Sequence, residues 1–131
     1  DSALLGLVSV IAPVVVTGNT CVVTASWQRP LPAIDLAEVL ATSDLPGGVV
    51  NVLTGQLADT VPTLASHMDV NAIDLTGAYG DADNAAALEV MAAENLKRVR
   101  RAADEDWSVE PGIDRMTWVL EIKTVWHPIG T

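Results

Sequence analysis

Three short apolar runs, each followed or preceded by an apolar stripe at helical spacing, constrain this chain more than any other feature. The runs are Cys21-Val22-Val23, Val49 to Leu53 and Ala72 to Leu75. Each is too short for a stable helix, and each is bounded by a turn or breaker residue, so each reads as a buried strand. Between the first two, Ile34, Leu36, Ala37, Leu40 and Ala41 recur as one helical face. Between the second and third, Leu57, Val61, Leu64 and Ala65 do the same. Before the first, Leu4 to Val16 is apolar nearly all round, the pattern of a core helix, with Pro13 expected to kink it and Gly18-Asn19 to stop it. Helix and strand therefore alternate three times. Such alternation requires right-handed crossovers and a parallel sheet, so the expected fold is α/β, a Rossmann-like parallel sheet of three or more strands with flanking helices.

The core available to this fold is aliphatic. Half of the 131 residues are hydrophobic, only five are aromatic and none is Phe, which suits strands buried on both faces by helices. The length corresponds to one domain or a large part of one. Pro30 and Pro32 open the second helix, where a missing N–H costs nothing, and Asp35 and Glu38 lie toward its positive end. Leu45-Pro46-Gly47-Gly48 is a turn, and Gly55 closes the second strand.

After Gly77 the pattern changes. Gly80 to Asn84 reads as a loop, Ala85 to Ala103 as a helix capped by Asn84, and Asp104 to Asp114 as an acidic loop. Met116 to Trp126 alternates and is rich in Thr, Trp, Val and Ile, so a strand is expected there, ended by Pro128 and Gly130. The division expected is residues 1–80 for the alternating unit and 81–131 for a C-terminal helix, acidic loop and strand.

The net charge of −10 is uneven. Residues 1–96 hold eleven acids and one base, Arg29, whereas residues 97–131 hold six of each. Nucleic acid is not an expected partner, because phosphate binding needs a basic surface. The only basic run, Lys97 to Arg101, precedes Asp104, Glu105 and Asp106 and reads as a solvated helix end with its own counter-charges. Leu4 to Thr17 is too short to span a bilayer and has no basic flank, so no membrane segment is expected. The single cysteine, Cys21, cannot form an internal disulfide and fits a reducing, cytoplasmic setting. The chain starts at Asp1, not Met, so residues preceding it in the natural protein are to be expected. No His, Cys and carboxylate set has metal-ligand spacing, and no Ser sits in a nucleophile elbow.

Three stretches carry a family resemblance. Gly18 to Leu31 reads GNTCVVTASWQRPL, residues 43–55 read SDLPGGVVNVLTG, and Leu64 to Gly77 reads LASHMDVNAIDLTG. In order and spacing they resemble the cofactor-binding half of aldehyde dehydrogenases. There the corresponding patterns are Gly-Asn-x-x-hydrophobic-x-Lys-Pro-Ser-Glu-x-Thr-Pro-Leu, then Leu-Pro-x-Gly-Val-Val-Asn followed by hydrophobic residues and Gly, then Leu-x-x-His-x-Asp-Val leading to Phe-Thr-Gly. With the leading helix they cover residues 4–77. Leu120 to Val125 is similar to the family's C-terminal strand, which helps to join subunits.

The resemblance implies an NAD or NADP site at Thr24, Ser26, Trp27, Gly55, Thr76 and Gly77, with no metal. It also implies weakened binding. The family's ribose-binding Lys and Glu fall at Thr24 and Trp27, so both charges are lost. The second Gly of the pyrophosphate loop falls at Ala82, with Gly80 nearby, the Phe before Thr-Gly is Leu75, and Asp81 and Asp83 bring negative charge to the same region. Family catalysis needs a Cys nucleophile, a Glu base and an upstream Asn. No stretch here is similar to those motifs, and Cys21 reads as a structural thiol. His67 reads as a helix-end residue. The expectation is a truncated, non-catalytic relative acting as a partner or scaffold, in a homo-oligomer or with a full-length aldehyde dehydrogenase. The alternatives are one half of a working NAD-dependent enzyme that oxidises aldehydes to acids, and a small nucleotide-binding module. Trp107, Trp118 and Trp126 suit either an interface or local packing.

Overall fold

The computed structural model describes residues 3–129, so the expected stop at Gly130 lies outside the described residues. The first helix, α1 (Leu5–Val16), keeps Pro13 inside it and ends as expected at Gly18. The Gly18 amide donates to the Val15 carbonyl (3.0 Å) and the Asn19 amide to that of Val14 (3.1 Å). This closure needs a left-handed residue between helix and exit, and Gly18, at φ +80°, supplies it without a Cβ clash. Strand β1 (Cys21–Thr24) follows, then α2 (Leu31–Ala41) with Pro in its first turn, then β2 (Val50–Leu53). β1 and β2 run parallel with Cys21 opposite Val50 and Thr24 opposite Leu53. Helix α3 (Leu57–Ser66) leads to β3 (Ala72–Asp74) and a single 3-10 turn at Thr76–Ala78. The alternating α/β order read from the sequence is the order observed.

Two features differ from expectation. First, the sheet is not one ladder of three strands but two parallel pairs, β1–β2 and β3–β4. Strand β4 (Arg98–Arg100) is the basic run, expected as part of a long helix. Helix α4 (Ala82–Ala93) stops ten residues short of Ala103, and the chain reverses through Leu96, at φ +54°, to place Ala72 opposite Arg98 and Asp74 opposite Arg100. The Leu96 amide donates to Ala93 (3.1 Å) and the Lys97 amide to Ala92 (3.2 Å), the same closing pattern that Gly18 makes on α1. Because Leu, not Gly, holds the left-handed position, the stop carries no local signal. The run is not a solvated helix end either: Lys97 is buried and its Nζ donates to the His67 carbonyl at 2.6 Å.

Second, the strand expected over Met116–Trp126 is absent among the described residues. Asp114–Thr117 form a single helical turn, α5, and residues 121–129 have no regular structure. Alternating β-prone residues form a strand only when a sheet edge is there to pair with. Here Ile122, Trp126 and Ile129 stand almost fully exposed. Of the three C-terminal tryptophans, Trp107 packs over Gly6 and Arg115, Trp118 is half-buried and Trp126 is exposed.

The best-formed core lies on the β3–β4 side, where α3 packs on α4. Leu88, Leu75 and Ala65 are buried there, with Val61, Ile73, Met91 and Val99 against them. Ala65 and Ala92 are fully enclosed; their small size brings the two helices together.

Candidate functional site

The carboxyl-end tips of β1 and β3 do not pair with each other. They open onto a common cleft of about 1080 Å³, closed on other sides by α1, the start of α3 and the loop after β4. Strand tips are where ligands enter an open α/β sheet, because the connections there diverge to opposite faces.

Five of the six residues expected at a cofactor site line this cleft. Thr24 ends β1 and is half-buried, Ser26 follows it, and Trp27 stands on the rim with 56% of its surface exposed. Across the opening, Thr76 is buried and Gly77 exposed. Gly55 is the exception: it turns the chain after β2 at φ +129°, and its neighbour Gln56, not Gly55, reaches the cleft. Gln28, Gln56, Tyr79, Glu105 and Trp107 also line the cleft, and none of them belongs to the residues expected there. The last two come from the loop after β4, and nothing local to that loop signals where it returns.

The electrostatics are one-sided. Asp74, Asp81, Asp104 and Glu105 line the cleft, and among its described lining residues there is no Lys, Arg or His. Asp74 Oδ1 accepts the Thr76 amide (2.9 Å) and also the Thr76 hydroxyl. Asp81, not Asn84, caps α4: its Oδ1 accepts the Asn84 amide at 3.1 Å. Of the two carboxylates expected near a phosphate, Asp81 is turned onto the first turn of α4, and Asp83 lies within that helix and does not line the cleft.

Behind the cleft, Glu105 holds two cations. Arg100 donates to its Oε1 at 2.7 Å and Arg115 donates to Oε2, while Arg115 also lies 4.8 Å from the centre of the Trp107 ring. The Glu105 hydrogen bond, against the opposing effect of burial, holds the Arg100 guanidinium above its ordinary value. Arg100 Nε is buried without a hydrogen bond, with Asp74 Oδ2 3.8 Å away.

Cys21 is half-buried at the start of β1 and outside the cleft lining; burial pushes its thiol above the usual range. A thiol held in its neutral form is a poor nucleophile. His67 caps the end of α3, its Nδ1 accepting the Asp69 amide at 3.2 Å. Among the described residues no group of three or more His, Cys, Asp or Glu is arranged to hold a metal ion, and no helix is long and apolar enough to cross a membrane.

The model of the aldehyde dehydrogenase family matches residues 2–103. The chain belongs to that family. Its match includes α1 to β4 and both sides of the cleft. The chain is 41% identical over 88 residues to a betaine aldehyde dehydrogenase of Rhizobium leguminosarum bv. trifolii, covering 67% of this chain and 17% of that enzyme. It is 36% identical over 89 residues to a mitochondrial aldehyde dehydrogenase of Leishmania tarentolae, covering 68% of this chain and 18% of the relative. Over 74 residues it is 40% identical to a hydroxyisobutyraldehyde dehydrogenase of Mycolicibacterium austroafricanum, covering 56% of this chain and 15% of the relative. The matched segment thus spans about a sixth of these aldehyde dehydrogenases. No solved structure matches the chain.

Proposed function

We propose that this chain supplies the adenosine side of an aldehyde-dehydrogenase-type dinucleotide site, has no oxidation chemistry of its own, and works joined to another polypeptide. The observation that carries this reading is the convergence of Thr24, Ser26, Trp27, Thr76 and Gly77 on one cleft at the strand tips. The donor set fits a nucleoside: the Thr24 and Ser26 hydroxyls and the Gln28 and Gln56 amides can meet ribose and base, and the exposed Trp27 ring offers a stacking face. NAD or NADP is the family's cofactor, and the nicotinamide it brings accepts hydride. The residues here bind and orient its far end. Binding is weak, because no cation faces the pyrophosphate.

The non-catalytic half of the reading rests on Cys21. Aldehyde oxidation through this family's chemistry needs a thiolate within reach of the carbonyl. The sole thiol lies in a strand, away from the cleft and shifted toward its neutral form. A partner bringing Cys and Glu would be a full-length aldehyde dehydrogenase; a second copy of this chain would add only another Cys21, and serves as a homo-oligomeric partner without chemistry. A reducing compartment such as the cytoplasm suits the unpaired thiol. If the partner's groups complete the site, the assembly oxidises an aldehyde to an acid, which is the second reading.

Titration with NAD followed by tryptophan fluorescence tests the cleft. Saturable quenching that Trp27→Phe removes supports it, and a flat response with native circular dichroism rejects it. Native mass spectrometry tests the partner: a monomer with nothing attached rejects that half of the reading.

A further inference from the structure

The cleft's acidity is centred on a residue that the family comparison leaves open. Asp74 is the last residue of β3, sits at the cleft wall and is mostly buried, with 13% of its side chain exposed. One of its oxygens takes both donors of Thr76. The other faces Arg100, but at 3.8 Å and without a hydrogen bond, because that guanidinium turns its closer contact to Glu105 at 2.7 Å. Asp74 is therefore an incompletely neutralised carboxylate occupying the donors nearest the β3 tip. Asp81 and Asp104 stand on the same cleft, and no cation does.

We propose that Asp74 is a specificity residue that makes this cleft prefer an uncharged nucleoside to its phosphorylated counterpart. The inference rests on the adenosine-side reading above and adds to it the charge of the ligand that is accepted. A phosphate arriving between the tips of β1 and β3 meets a like charge in a partly desolvated setting, and the Thr76 donors are taken. A nucleoside meets the Thr24 and Ser26 hydroxyls and the Trp27 ring, and brings no charge to be repelled.

The test is fluorescence or calorimetric titration of adenosine and of ADP on the full chain, its Asp74→Asn and Asp74→Ala variants. On the wild type, adenosine binds more tightly than ADP. Asp74→Ala removes both the charge and the competing acceptor and raises ADP affinity about tenfold, in line with one recovered charge-assisted hydrogen bond. Asp74→Asn keeps the acceptor and gives a smaller gain, about threefold. The readout is the ratio of ADP to adenosine affinity in each form, which rises in both variants. Equal ADP and adenosine affinity on the wild type overturns the proposal, as does an Asp74→Ala variant that binds adenosine normally and gains nothing for ADP. If neither ligand binds any natively folded form, the adenosine-side reading itself falls and takes this inference with it. Should the alanine variant not fold, a salt series on the wild type decides. Screening raises ADP affinity and leaves adenosine unchanged if Asp74 and its neighbours repel the phosphates; a flat or falling ADP series overturns the proposal.

Discussion

The two strand pairs of this protein are built on the same parallel ladder by opposite means. The β1–β2 pair joins CVVT to VNVL, apolar residues flanked by α1 and α2, and its entrance is a glycine-closed helix end. The β3–β4 pair joins AID to RVR, and its entrance is a helix end closed by Leu96. A strand with an arginine at each end stays folded in here because Asp74 and Glu105 come from other elements to meet the Arg100 guanidinium, because Arg98 donates to the Val119 carbonyl at 3.3 Å, and because Val99 between them packs on the core. The lesson is that strand formation follows what the side chains find around them, and charge is no bar where counter-charge is brought in.

The difference between the two pairs is tested most directly at Leu88, the largest fully buried side chain among the described residues. Leu88→Ala opens a cavity beneath β3 and α3 and is expected to cost about 3 kcal/mol in urea denaturation. Val22→Ala, on the exposed side of β1, is expected to cost less than about 1 kcal/mol, because little apolar area is lost. Equal costs would show that the two halves are not packed differently. Next, Glu105→Ala leaves Arg100 and Arg115 without their shared carboxylate, both less than a quarter exposed. A loss of about 2 kcal/mol is expected, below that of a fully buried pair, and a loss within error would remove the charge argument for β4.

The matched helix ends give a sharper test with opposite signs. Leu96→Gly relieves a left-handed residue that is 91% exposed, so about 1 kcal/mol of stabilisation is expected from the shift in urea midpoint. Gly18→Ala imposes the same strain on α1 and is expected to destabilise by about 1 kcal/mol. If both changes move stability in the same direction, the two ends are not equivalent.

The smallest effect concerns Cys21. Burial raises its pKa in the folded state, so the fold favours the protonated thiol. The corresponding stability is present below the unfolded thiol's pKa and is lost as pH rises through the folded value. The urea midpoint of the wild type should fall more steeply on the alkaline side of the ordinary thiol range than that of Cys21→Ala. Alkylation of Cys21 by iodoacetamide should also be slower than that of a free thiol at the same pH.

Much of the β1–β2 half was legible because its signals are local. Gly18, Pro30 and the turn at residues 45–48 mark ends within a residue or two, and the apolar runs between them have one plausible conformation each. The β3–β4 half misled in a specific way. Ala85 to Ala103 has helix-forming residues throughout and no Gly or Pro, so nothing near Leu96 announces a reversal. The C-terminal alternation misled in the other direction, since its residues favour a strand but meet no sheet edge. At the cleft, the residues carried by motifs reached the strand tips, whereas Glu105 and Trp107 arrive on a loop whose path depends on β4 having formed.

Residue type alone determined the order of helices and strands up to β3, the aliphatic core, and the lack of any thiol beyond Cys21, because periodicity, chain breakers and composition act within a few residues. Only tertiary structure decided that β3 pairs with Arg98–Arg100, that Glu105 holds two arginines, and that the cleft faces its ligand with carboxylates and no cation. Those outcomes join residues as much as 26 positions apart across the β3–β4 ladder, where burial and counter-charge, not local preference, set the energy.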